Sequence, residues 1–179
     1  MRGLDPAAAL LGVLVAVQVP AGAQQHCDAD AYPLSAPSAR FEDNADGTVT
    51  DRGTQLMWTR CSAGQRWVAG ACSGVPQAHD WASAQAYAVA VNEGGDFFYK
   101  DWRMPQLREL ATISERQCSN PRVNIAVFPQ TPAEYYWTGS VRPVADGASR
   151  AFALSFGPEG VEYRMKTAAH HVRLVRNAR

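Results

Sequence analysis

Two turn signals lie within a few residues of each other in the run from Phe41 to Trp58, F-E-D-N-A-D-G-T-V-T-D-R-G-T-Q-L-M-W. Asp46-Gly47 is a favoured two-residue hairpin turn, and it would pair Asn44 with Val49 and Phe41 with Arg52. Asp51-Arg52-Gly53-Thr54 then turns the chain again into the apolar strand Leu56-Met57-Trp58. A chain that reverses twice over so short a run folds as a β-meander. The same run also resembles a calcium loop, because acidic and amide side chains crowd around Gly47. An EF-hand register starting at Glu42 places Asn44 and Asp46 well but puts Gly53 at the twelfth position, where a bidentate carboxylate is required. Turn chemistry accounts for every Gly and Asp here, so the meander is the expected structure and no metal is expected.

The segment before this run is not read as fold. Arg2 is followed by an apolar stretch from Ala7 to Val19 and by the small-residue sequence Ala21-Gly22-Ala23. That is the pattern of a secretory leader over 1–23, with cleavage before Gln24. Export bears directly on the four cysteines, Cys27, Cys61, Cys72 and Cys118. An even number in an exported chain argues for two disulfides. Three pairings are possible; proximity favours Cys61 with Cys72, which leaves Cys27 for Cys118. Zinc is the competing reading, but no C-x-x-C pair exists and His79 is poorly spaced. Residues 24–39, rich in Pro, Ala, Ser and Asp, read as a tail held by Cys27, and 40–179 as one domain. The formal net charge is zero, which gives no support to bulk attraction towards nucleic acid or a membrane surface.

Further along, Asp80 can cap a helix whose inner face is Trp81, Ala84, Ala88 and Val91, and Asn92-Glu93-Gly94-Gly95 ends it. A second helix is expected from Leu107 to about Glu115, with Leu107, Leu110, Ala111 and Ser114 inward. Pro105 precedes it and Glu109 occupies the capping-box position after Gln106. The last third reads as strand: Tyr135 to Thr138, the alternating Phe152, Leu154 and Phe156, a turn at Gly157-Pro158-Glu159-Gly160, the alternating Val161, Tyr163 and Met165, and a final strand from His171 to Val175. The order predicts an α+β domain with two helices and a twisted, mainly antiparallel sheet, stapled by disulfides.

Several stretches taken in order resemble the DUF1566 or Lcl C-terminal domain family. They are Phe41-Glu42-Asp43-Asn44 with Asp46 to Asp51, Leu56-Met57-Trp58, Asp101-Trp102-Arg103-Met104-Pro105 with Glu109-Leu110, Asn124, Phe128-Pro129, Thr131-Pro132, Tyr136 to Ser140, and His171 to Arg176. The resemblance implies a C-type-lectin-like fold related to the formylglycine-generating and sulfatase-modifying group. It also implies an exported protein, periplasmic or at the cell surface, with a binding or adhesive role.

Catalytic and metal readings are weaker. The calcium-bridging motifs of sugar-binding lectins, E-P-N or Q-P-D, are replaced by Asn120-Pro121-Arg122 and Thr131-Pro132-Ala133. Nothing after Cys118 supplies the reactive cysteine pair of the oxidase relatives. Cys72, in Gly70-Ala71-Cys72-Ser73-Gly74, mimics a nucleophile elbow but is explained by a disulfide. Adjacent strand residues such as His170 and His171 point to opposite faces and do not chelate together. Asp101, Trp102 and Arg103 read as a structural cluster, with Trp102 in the core and Arg103 paired to an acid or backbone. Surface recognition remains. Arg164 and Lys166 should face solvent, opposite the apolar set of the return strand, and Arg142 and Arg150 bracket the loop before it. These four form a candidate basic face for sulfated or carboxylated polysaccharide; a merely solvated face is the alternative, given Glu159 and Glu162 nearby. No catalysis and no cofactor are expected. The partner is an anionic polysaccharide or, in the alternative of a structural subunit, an envelope protein.

Overall fold

The computed structural model describes residues 25–30, 32–95, 97–143 and 148–178. The leader expected over 1–23 lies outside the described residues. The tail begins with β1 (His26–Cys27), which pairs antiparallel with β8 (Cys118–Ser119), and the Cys27–Cys118 disulfide fastens it there. Ser35 and Ala36 continue the anchorage: their backbone N–H groups and the Ser35 hydroxyl donate to the carboxylate of buried Glu115. Burial pushes the Glu115 carboxyl upward, but the hydrogen bonds from Ser35, Ala36 and Gln117 outweigh it and leave the group below its ordinary 4.5.

The meander forms as β2 (Phe41–Asp43), β3 (Thr48–Asp51) and β4 (Leu56–Thr59), but its register differs by one residue from the two-residue turn. Phe41 faces Asp51 and Asp43 faces Val49. The turn is longer because Ala45 and Gly47 both adopt positive φ, 61° and 87°. Two Asx-type bonds hold that shape: Asp43 accepts from Ala45 N and Asp46 from Thr48 N. Asp51 closes the second turn, accepting from Gly53 N and Thr54 Oγ1 while paired at 2.9 Å with Arg40.

Next come the hairpin β5 (Arg66–Val68) and β6 (Ala71–Ser73), then the short β7 (Ala78–His79). The expected Cys61–Cys72 disulfide staples this hairpin to the end of β4. Helix α1 (Trp81–Gly94) starts at Asp80, whose carboxylate accepts from Ser83 N, and ends at Gly95 in the left-handed region. Ala84, Ala88 and Val91 are its buried residues, as their spacing predicts. Helix α2 (Leu107–Thr112) is shorter than expected. Its capping acid serves two roles, since Glu109 accepts from Gln106 N and holds Arg103 through two bonds of 2.7 Å. Ala111 is exposed, and Ser114 leaves the helix to bridge Val123, so Ile113 takes the buried place instead.

The remaining strands are β9 (Tyr135–Trp137), β10 (Arg150–Ser155), β11 (Val161–Met165), β12 (His170–His171) and β13 (Val175–Asn177). The final strand expected over His171–Val175 is thus divided, because β12 and β13 belong to different sheets. One sheet runs β11-β10-β9-β12-β7 and the other β13-β4-β3-β2, antiparallel except where β12 meets β9. These sheets separate two apolar cores. Alternate residues of β4 explain how: Leu56 and Trp58 enter the core under α2, and Met57 enters the core under α1. Tyr136 and Trp137 of β9 divide in the same way. A strand buried on both faces reads as an unbroken apolar run, which is what L-M-W presents.

Candidate functional site

A cleft of about 220 Å³ opens between the turn at Asp46-Gly47, the β5–β6 hairpin and α1. Its floor is Ala63 and Leu174, both buried, and its walls carry Trp67, Tyr87 and Phe97 beside the polar Ser62, Gln65 and Arg66. Close approach of the backbone positions the main aromatic. A Cβ on Gly47 would lie 2.7 Å from Trp67 Cβ, so only glycine lets the hairpin sit this near the turn. The Trp67 ring lies 4.0 Å from the Arg60 guanidinium. Arg60 is itself fixed, bonded to Val127 O and Ala126 O and paired with Asp43 at 2.7 Å. We expect Gly47→Ala to displace Trp67 and destabilise the hairpin by about 1–3 kcal/mol; a Trp fluorescence spectrum and melting curve equal to those of the parent protein would contradict this.

The carboxylates that make the meander look like a calcium loop are engaged internally. Asp43 is bonded to Ala45 N and Arg60, Asp46 to Thr48 N and Oγ1, and Asp51 to Arg40, Gly53 and Thr54. Among the described residues no group of three or more His, Cys, Asp or Glu side chains could hold a metal ion.

The four candidate cations are not brought onto one face. In the β10–β11 register, Arg150 lies opposite Met165 and Ala151 opposite Arg164. Paired residues share a face and neighbours alternate, so Arg150 and Arg164 are on opposite sides of the sheet. Arg142 joins Arg150, with its guanidinium 5.6 Å from the Tyr163 ring, while Arg150 donates to Tyr163 O. Arg164 is half-buried rather than solvent-facing: it pairs with Glu162 at 2.8 Å and stacks 4.8 Å above Tyr135. Lys166 lies over Trp81 at 4.1 Å and donates to Ala148 O. Conversely Val161 and Met165, the apolar set, are 49% and 43% exposed. The reason is that Ala151 and Ala153, on the Arg164 row, belong to a buried cluster, whereas on the other row the core reaches Leu154 of β10 but not Val161 and Met165 of the edge strand.

The other singled-out residues are structural. Trp102 is buried, Arg103 holds Glu109, and Asp101 pairs with Arg176 at 2.6 Å. Cys72 is disulfide-bonded and His170 is buried against Tyr135 and Trp137. Burial and a hydrogen bond to Glu162 push the Tyr135 hydroxyl up to about 12. Sequence reasoning missed the cleft, since Ser62 to Gln77 reads as loop; the usable signal was Arg66-Trp67-Val68 between two cysteines that pair.

No curated protein matches the chain. The Lcl C-terminal domain family matches residues 47–176, from the turn at Gly47 to Arg176 in β13, which takes in both helices, the cleft walls and all but the outermost strands. With well over half of its length matched, in the order in which the fold uses it, the chain belongs to the Lcl C-terminal domain family.

Proposed function

We propose that this domain is an exported, non-catalytic binding module of C-type-lectin-like fold that takes a saccharide in the cleft beneath the β5–β6 hairpin, without calcium. The observation that carries this reading is the cleft's lining: Trp67, Tyr87 and Phe97 stand beside exposed Arg66, while the buried Ser62 and Gln65 side chains brace the wall through bonds to Tyr136 and to Ser62 N. A sugar ring has an apolar face and a polar rim, and needs both kinds of partner. Arg66 favours a carboxylated or sulfated unit. Independence from calcium is supported by Asp43, Asp46 and Asp51, whose carboxylates already accept internal bonds. Export is supported by two disulfides, and no helix among the described residues is long and apolar enough to cross a membrane.

The test is a glycan array with and without EDTA, followed by titration of the bound sugar. Binding is expected to survive EDTA and to weaken about tenfold or more in Trp67→Ala, from loss of stacking. Arg66→Ala should weaken anionic ligands selectively and reduce the salt dependence. Unchanged affinity in both variants would sink the assignment to this cleft, and selective capture of one envelope protein in place of any glycan would favour a structural subunit.

A further inference from the structure

The geometry points to β11 as the seam of a homodimer, in which two copies of this chain join their sheets edge to edge. Among the described residues, β11 is the terminal strand of its sheet, paired only with β10. The ladder fixes which backbone groups it leaves open. Ser155 N donates to Gly160 O and Lys166 N to Ser149 O. By alternation the N–H and C=O groups of Glu162 and Arg164 point to β10, and those of Val161, Tyr163 and Met165 point outward. Tyr163 O and Met165 O each accept one internal bond, from Arg150 Nη1 and Ala168 N, and retain a second lone pair. An edge of this kind is a template for a further strand.

The sequence of β11 says which strand fits. Val161-Glu162-Tyr163-Arg164-Met165 is complementary to itself when reversed about Tyr163. An antiparallel pairing centred on Tyr163 sets Val161 against Met165 of a second copy, Glu162 against Arg164, and Tyr163 against Tyr163. The outward-pointing residues are then the ones that exchange backbone hydrogen bonds, as an antiparallel ladder demands. Glu162 and Arg164 fall on the closer, non-bonded pairs, where opposite charges attract across strands. On the other face, Val161 and Met165, 49% and 43% exposed, cover each other. The contact is isologous and closes at two copies. Glu162 and Arg164 now pair within their own strand at 2.8 Å, Glu162 also accepting from Tyr135 and Arg164 donating to His170, and would exchange only their mutual contact for its equivalent across the seam. The same two charges discourage unrelated strands, which would meet one of them with a like charge or with none.

Charge exchange on the full exported chain tests this, read by sedimentation velocity over a concentration series. The parent protein is expected to dimerise reversibly. E162R and R164E should each weaken self-association by about tenfold or more, because like charges then oppose each other twice. An equimolar mixture of the two should regain the dimer, since one chain presents two arginines where the other presents two glutamates. Circular dichroism melting of each variant separates a folding defect from lost association, and the mixture restores association only if both are folded. A monomeric parent protein at every concentration, single variants that associate like the parent, or a mixture that stays monomeric would each overturn the seam.

Discussion

Arg173→Met is expected to lower the unfolding free energy by about 3 kcal/mol, through the loss of one fully buried cation that has no carboxylate partner. Arg173 donates to Thr59 O at 3.0 Å, to Arg60 O and to Thr131 Oγ1 at 2.7 Å, and its guanidinium lies 4.7 Å from the Phe128 ring. Burial lowers its proton affinity, with Tyr136 opposing that shift, but a guanidinium stays charged in a protein. Two effects therefore compete in the variant. An apolar side chain removes the cost of burying a charge, and it leaves acceptors at the end of β4 and in the Thr131 turn without donors. Replacing a buried ion pair whole can be neutral. Here only the donor goes, and each orphaned buried acceptor costs about 1–3 kcal/mol, so the loss dominates. Arg173→Lys keeps the charge but not the planar fork and should fall between the two. Urea denaturation measures both; a methionine variant as stable as the parent would show that these acceptors find other donors.

That arginine was visible in the sequence only as part of a terminal motif, because nothing local marks a charged residue for burial. The local rules succeeded where short-range chemistry decides. Asp80 and Gly95 delimit α1, Glu109 caps α2, and the cysteines pair as proximity suggests. They failed where tertiary packing decides. The meander slipped by one residue because Ala45 adopts a left-handed conformation that Asp43 and Asp46 stabilise together. Helix α2 stops at Thr112 because Ser114 and Glu115 bond to Val123 and Arg122 in place of another helical turn. Val161, Tyr163 and Met165 alternate like a core-facing row, yet the sheet buries Ala151 and Ala153 on its other side. Alternation shows that a strand has two faces but not how far the core extends over each of them. The cleft eluded sequence reading for a related reason: Trp67, Tyr87 and Phe97 come from a hairpin, a helix and a loop, with no common period.

Acidification is expected to destabilise the domain in two windows, the upper one led by His170 and shared with His171, whose imidazole burial also pushes below 6.5. Burial, then the Arg164 and His171 charges, push the His170 imidazole from 6.5 down to about 4, against a weaker upward pull from Glu162. The geometry agrees. Arg164 Nε donates to His170 Nε2 at 3.4 Å, so that nitrogen must be unprotonated. Tyr135 and Trp137 rings lie 5.3 and 4.7 Å away, and His79 is its neighbour across the strands. A histidine held neutral in the folded state binds fewer protons than in the unfolded chain wherever pH lies between the two values. Stability therefore rises with pH across that window and falls as pH drops from 6.5 to about 4, by up to about 3 kcal/mol. Below 4.5 a second loss begins, as the depressed carboxyl of Glu115 takes up protons more readily in the unfolded chain. His170→Asn should make the upper window shallower, leaving the His171 part. Glu115→Gln should make only the lower one shallower, which Asp80, Glu109, Glu159 and Glu162 share, at a general cost in stability. Melting temperature against pH for the three proteins decides the matter: His170→Asn running parallel to the parent between pH 6.5 and 4 would exclude His170 as the group responsible.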